Sequence, residues 1–466
     1  MGNIIFTGKR IVDKSPVATW VAEGGDVTLG ASGLVKQKGE NGVDLLIGQP
    51  PPKQNTAAAI VLDAYFARLK DGKYIRSSWG GIGEELYIVV QTSGLTGKEI
   101  EVNIKDREGI ITSDKYGILP VLQDDKDVKG EFKTTVRNDN FAIIKLAMKA
   151  KEDKTTEQWQ KKIAEAKDKK AYLCILVDAH SRNADVQIQY NGKNKGSDQT
   201  ATTAGKPNYW LDARGDWFEL RRKNPVIVLD PGHGYTIGNT GAVSFIYTYK
   251  VQGKDGKEVT GADKKPVTAK ANVLQLPQYV LDDPNAWIVS KKEDPDRSER
   301  FLVYDIAAKT KSLLEAEGYK VFITRERGPI KGSDNGATRA ARISLANDNA
   351  ADYFISVHAD GADGNTTTGS HVIYPDSSDA TLTADCSELA TDIFSSYTVV
   401  AVESNSPKKD VRGLQVLGSS NKTKRKVLVE LGFVTTPADA RALYNNVDNA
   451  ATQLKNGLIV NIKKHF

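Results

Sequence analysis

Apolar and polar positions alternate along this chain in several textures, and each predicts different elements. The first fifty residues are Gly-rich and short of a period; VTLGASGLVKQ and VDLLIG are candidate short strands, and Pro50-Pro51-Pro52 then stops any regular element. Ala57 to Lys70 (AAAIVLDAYFARLK) sets apolar residues at three- and four-residue steps among good helix formers, which predicts an amphipathic helix. From Glu84 the texture becomes strand-like. ELYIVVQT, EIEVNI, GILPVLQ, FAIIKLAM, AYLCILVDA and DVQIQY are separated by Gly, Asp and Lys turns, with a charged run from Thr155 to Lys170 that predicts an exposed helix. Residues 192–208 are small and polar, a composition that buries too little surface to order itself. After Asn224, short apolar runs (VIVLD, YKVFITR, YFISVH, SHVIYP, KVLVEL) alternate with helical patterns at 300–317, 337–347, 387–397, 437–445 and 448–463.

The expected fold is therefore multidomain. A small mixed N-terminal region with one helix (1–80, a candidate docking module) precedes an all-β sandwich-like module (81–191) and a linker (192–222). The C-terminal part (223–466) reads as an α/β domain with a mostly parallel sheet flanked by helices, interrupted by an insertion rich in Lys, Asp and Gly at 247–296. In such sheets reactive residues gather at the carboxyl ends of strands.

Composition narrows the classes. At 466 residues there is room for more than one core, and 39% hydrophobic with 26% charged residues excludes collagen-like, coiled-coil and wholly disordered chains. The net charge of +5 suits an anionic surface but is too small to argue for nucleic acid. No stretch approaches 18 consecutive apolar residues, so no membrane span is expected, and the first twenty residues lack the apolar core of a secretory signal. Cys174 and Cys386 form no disulfide framework or zinc ribbon and read as small buried hydrophobes.

Chemistry concentrates in the C-terminal part. Of five histidines, His233 closes VIVLDPGH and His358 closes YFISVH, both at strand ends. Glu430 ends KVLVE inside an apolar run, where an unpartnered carboxylate costs several kcal/mol or takes a proton, so a nearby cation is the simplest reason for it. Two imidazoles with carboxylates at the strand ends of one sheet are what a catalytic Zn²⁺ site requires: three protein ligands, one open position, and a second, unligated acid to carry protons. His180, His371 and His465 carry no partner motif and read as structural.

Four segments in one order carry a family resemblance: VIVLDPGHG, SERFLVYDIAAKTKSLLEAEGYKVFITR, ATRAARISLANDNAADYFISVHAD and KVLVELGFVTTPADARAL. Together, over roughly residues 224–466, they resemble the zinc-dependent N-acetylmuramoyl-L-alanine amidases, which cut the amide between the lactyl group of N-acetylmuramic acid and L-Ala of the peptidoglycan stem. The resemblance implies that His233, Glu299 and His358 hold one Zn²⁺ and that Glu430 is the catalytic carboxylate. Glu299 depends on it most, since an acid in a helix's first turn is also ordinary dipole complementarity. It further implies a substrate contact for Arg412 and, for Asp230, a partner that orients a ligand, with a turn or cap role equally open. Arg325, Arg342 and Asn347 match family positions without an assigned chemistry. Asp360 departs from the family's usual Asn, and Thr435-Thr436 from its more common pair.

The leading expectation is a peptidoglycan amidase that works outside the cytoplasmic membrane, delivered either by a phage-type or contractile injection apparatus or by a leader that this sequence does not carry. Residues 1–191 would dock it to that carrier or to the wall. Two other readings stand beside it: a zinc peptidase or carboxypeptidase acting within the stem peptide, and a non-catalytic wall-binding component.

Overall fold

The computed structural model describes residues 59–466 apart from 124–125, 128–129, 187, 191–208, 212–216, 235–240, 284–286, 329–337 and 364–365. The elements expected before residue 59 and the linker at 192–208 lie outside the described residues.

The segment expected as a helix over 57–70 is a strand, Ala59–Lys70, paired antiparallel with Glu85–Ser93. A register shift between Val61 and Asp63 inserts an extra residue, so Asp63 and Ala64 are both buried and the strand's period of two is broken. That bulge produces the three-residue spacing that mimics a helix, and pairing with the neighbouring strand overrides alanine's helix propensity. Two sheets pack face to face around one core that includes Phe66, Leu86, Ile88, Ile104, Phe132 and Leu173. The sandwich also reaches into the stretch expected as linker, because Tyr209–Leu211 and Phe218–Arg221 both pair with Lys170–Asp178. The charged helix is present at Asp153–Glu165, with Trp159 and Ile163 turned into the core rather than exposed.

The C-terminal part carries a six-stranded sheet in the order Lys320–Ile323, Val226–Pro231, Tyr353–Asp360, Arg425–Phe433, His371–Tyr374, Lys408–Lys409. The first four strands pair in parallel, and His371–Tyr374 runs antiparallel to Arg425–Phe433. Every residue of Arg425–Phe433 is buried, as a strand covered on both faces requires. Helices Glu299–Ala316, Ala380–Ile393 and Val447–His465 contribute Leu302, Ile306, Leu389, Leu454 and Leu458 to the core on one side. On the other side Ala346 of Arg339–Asp348 joins Phe354, Leu417 and Leu428.

The insertion forms an antiparallel sheet of its own, Thr268–Asn272, Val243–Lys250 and Trp287–Ser298. Tyr247 and Val273 share a small core with Ala440 of helix Pro437–Asn445, and Arg441 binds the carbonyls of Val273 and Leu276. No helix among the described residues is long and apolar enough to cross a membrane.

Trp79 joins the sandwich to the sheet domain. Its indole is within 4.6 Å and 4.5 Å of the guanidinium groups of Arg68 and Arg221, packs against Tyr319 at 4.7 Å and donates to the Glu317 carbonyl at 2.9 Å. Trp79→Ala is expected to cost about 3–5 kcal/mol and to separate the unfolding of the two halves into distinct calorimetric transitions. A single transition at an unchanged temperature would contradict that coupling.

Candidate metal centre

Three strands of the six-stranded sheet end at one place. His233 follows Val226–Pro231, His358 lies near the end of Tyr353–Asp360, and Glu430 stands directly beside His358 in the register of Arg425–Phe433. The long strand Trp287–Ser298 leads straight into helix Glu299–Ala316 and delivers Glu299 as its first residue.

Glu299 is 3% exposed, and its carboxylate bridges both imidazoles: Oε2 is 3.2 Å from His233 Nε2 and Oε1 is 3.0 Å from His358 Nδ1. Backbone N–H groups complete the cage, Ala242 donating to Oε2 at 2.9 Å and Ala359 to Oε1 at 3.1 Å. Burial alone would raise this carboxyl's pKa, but the hydrogen bonds and charge of His233 and His358 outweigh it and hold Glu299 below the usual carboxylate range. One potential ligand atom from each of the three residues lies within 4.8 Å of the others. Two imidazole nitrogens and one carboxylate oxygen suit a borderline-soft divalent ion such as Zn²⁺.

The turn that aims His233 is strained and firmly held. His233 has φ 58°, a region that non-glycine residues rarely occupy. Its flank Gly232 is required by close approach, since a Cβ there would sit 2.2 Å from the His358 ring. Two buried arginines grip the turn's carbonyls: Arg325 donates to Pro231 and Gly232, and Arg342 to Pro231 and His233. Asp230, 1% exposed, pairs with Arg342 at 2.8 Å and accepts from Thr324 and Ser356. Its partners place it behind the turn, acting on His233 through Arg342.

Glu430 is also buried, but unlike Glu299 its Oε2 has no hydrogen-bond partner among the described residues. Burial, with the negative charges of Glu299 and Asp360 adding to it, pushes its pKa well above the ordinary carboxylate value, against the pull of Arg412 and Lys408. Glu430, the three clustered residues, Asp230, Asp360 and Arg412 all line one cavity of about 590 Å³. Arg412 reaches it from an exposed loop whose backbone is fixed by Asp410.

His371, expected to lie near the site in a structural role, is on the strand beside Glu430. It is the register partner of Glu430 on the other side from His358, so His358, Glu430 and His371 form a row across three adjacent strands. Its Nδ1 lies 2.8 Å from Glu403, which Lys408 holds at 2.5 Å. His180 belongs to the sandwich and His465 pairs with Glu388 at the far end of the last helix, so neither enters the site. Cys174 and Cys386 are both buried and form no disulfide.

An α/β sheet with a candidate metal centre at its carboxyl edge is the class of protein that this geometry defines. Residues 283–459 match the family described as "N-acetylmuramoyl-L-alanine amidase". The match begins inside the insertion and takes in Glu299, His358 and Glu430, leaving His233 outside. An uncharacterised cell wall amidase of Bacillus anthracis is 26% identical over 176 residues, covering 37% of this chain and 32% of its own length. Among solved structures, the catalytic domain of CwlV, an N-acetylmuramoyl-L-alanine amidase from Bacillus (Paenibacillus) polymyxa, covers 52% of this chain and 99% of its own at 16% identity and a TM-score of 0.33. The CwlD amidase of Clostridioides difficile, solved with the GerS lipoprotein, covers 52% and 100% at 19% identity and a TM-score of 0.34.

Gly232→Ala should force the His358 ring away from Glu299. The full chain carrying it is expected to bind zinc at least tenfold more weakly by competition with a chromophoric chelator, with its circular dichroism unchanged. Equal zinc affinity would show that the close approach is not needed.

Proposed function

We propose that this chain is a zinc-dependent peptidoglycan amidase that hydrolyses the bond between the lactyl carbonyl of N-acetylmuramic acid and the amine of L-Ala. One observation carries the reading: two imidazoles and a caged carboxylate converge beside a second buried carboxylate that has been left free. His233, Glu299 and His358 would hold the ion. When bound, Zn²⁺ acidifies water and polarises an amide carbonyl.

The chain's own groups supply the rest. Glu299 is kept ionised by the two imidazoles and two backbone N–H groups around it, which suits a ligand and removes it from proton transfer. Glu430 has the opposite environment, and a carboxyl with a raised pKa can take a proton from the attacking water and return it to the departing amine near neutral pH. Two carboxylates of one cavity are thereby driven apart in protonation, one by its partners and the other by burial. Arg412, at the cavity rim, is suited to a carboxylate of the stem peptide. Asp230 supports the site from behind by fixing Arg342. We place the sandwich at 59–221 and the catalytic part at 223–466, acting where peptidoglycan lies, outside the cytoplasmic membrane.

Glu430→Gln keeps the shape of the side chain and removes its proton chemistry. It is expected to retain one zinc per chain while sacculus digestion falls by about 10²–10⁴-fold, whereas Glu299→Ala should lose the metal and the activity together. Mass spectrometry of the wild-type digest should show free stem peptides that begin with L-Ala. Shortened stems still attached to the sugar would assign the centre to a peptidase, and undiminished digestion by Glu430→Gln would remove that residue from the mechanism.

A further inference from the structure

A second cavity, of about 660 Å³, opens at the opposite end of the same sheet, where the strands begin. Arg425 and Tyr353 are register partners there, as Glu430 and His358 are at the other end. Five strand residues separate the two levels, about 16 Å. Helix Asp153–Glu165 of the sandwich supplies one wall through Gln160, Lys161 and Ala164, and the sheet domain supplies the other.

The lining is strongly one-signed. Lys161, Arg222, Lys223, Lys422, Lys424 and Arg425 face one acidic side chain, Asp352. That carboxylate is already engaged, by Lys223 at 2.6 Å and by the backbone of Val226 at 2.9 Å. Lys161 pairs loosely with Glu165 at 3.9 Å, and Arg425 with Asp385 at 3.3 Å. Lys422, Lys424 and Arg222 have no ion pair among the described residues, and the Nε atoms of Arg222 and Arg425 are buried without a hydrogen-bond partner. Arg222 instead rests on the Phe466 ring at 4.7 Å.

This charge is displayed on a loop built to stay in place. The run Lys422-Thr423-Lys424-Arg425-Lys426 holds four cations in five residues. Lys426, whose side chain is fully buried, donates to the carbonyls of Gly418 and Asn421 at 2.9 and 2.5 Å and ties the loop down from beneath. Asn347 grips it from the side, bonding Ser420 and the backbone of Lys422 at 2.9 Å each. Like charges gathered on one cavity repel one another, and a multivalent anion there relieves that repulsion on a loop whose backbone is already held.

We propose that this cleft binds a multiply charged phosphate chain, condensed or diester-linked, at a site separate from the catalytic cavity. Guanidinium and ammonium groups converging on a cavity of this size match two or three successive phosphates. The assignment does not depend on amidase activity, because binding is read directly.

The test is calorimetric titration of the full chain at moderate salt with tripolyphosphate, poly(glycerol phosphate) and orthophosphate. At least one of the two phosphate chains should bind saturably and far more tightly than orthophosphate; the tighter of the two identifies condensed or diester-linked phosphate as the source. Lys422→Ala/Lys424→Ala should weaken that binding at least tenfold, as should Arg222→Gln. Lys254→Ala/Lys257→Ala removes two exposed charges from the tip of the insertion and should leave it unchanged. No saturable heat with either chain, equal affinity for orthophosphate, or equal weakening by both lysine pairs would overturn the proposal.

Discussion

A carboxylate shut away from water has to be matched on every side, and the site of this protein is organised by how Glu299 meets that requirement. Two imidazoles and two backbone N–H groups surround it, and they come from segments far apart in the chain. Leaving a buried charge without partners is worth several kcal/mol of destabilisation. The carboxylate therefore fixes where the His233 turn, the end of the Tyr353–Asp360 strand and the root of the insertion must lie relative to one another. The same convergence produces a cluster of ligand atoms within 4.8 Å, so the group that orders the site is also suited to hold a metal.

The elements behind the centre serve that geometry. A left-handed His233 is costly, and Arg325 and Arg342 offset the cost by binding the carbonyls the turn exposes. Arg325 lies deep enough that burial and the neighbouring Arg342 lower its pKa to about 10, still well above neutrality. The insertion is anchored to helix Pro437–Asn445 through Tyr247 and Arg441, and its first residues bring the Ala242 amide to Glu299. A stretch that separates His233 from Glu299 in sequence thus helps to join them in space.

What could be read from residues alone follows from how each position announces itself. A polar residue closing an apolar run is conspicuous, and His233, His358 and Glu430 were legible for that reason. Glu299 carries no such mark, because acids begin helices everywhere, and only the family resemblance singled it out. The arginine grips were invisible: their partners are backbone carbonyls, which sequence does not distinguish. The register of His371 with Glu430 runs across strands and has no spacing along the chain, so the residues alone could not show it. The bulge at Val61–Asp63 turned a strand into an apparent helix, and the strand at 218–221 hid behind a polar stretch that suggested the sandwich had ended.

The most direct measurement is anomalous scattering at the zinc absorption edge from crystals of the full chain grown with zinc. The account predicts one strong peak about 2.0–2.2 Å from a nitrogen of His233, a nitrogen of His358 and an oxygen of Glu299, with Glu430 near it and unbound. A peak held by other residues, or by Glu430 in place of Glu299, would contradict it.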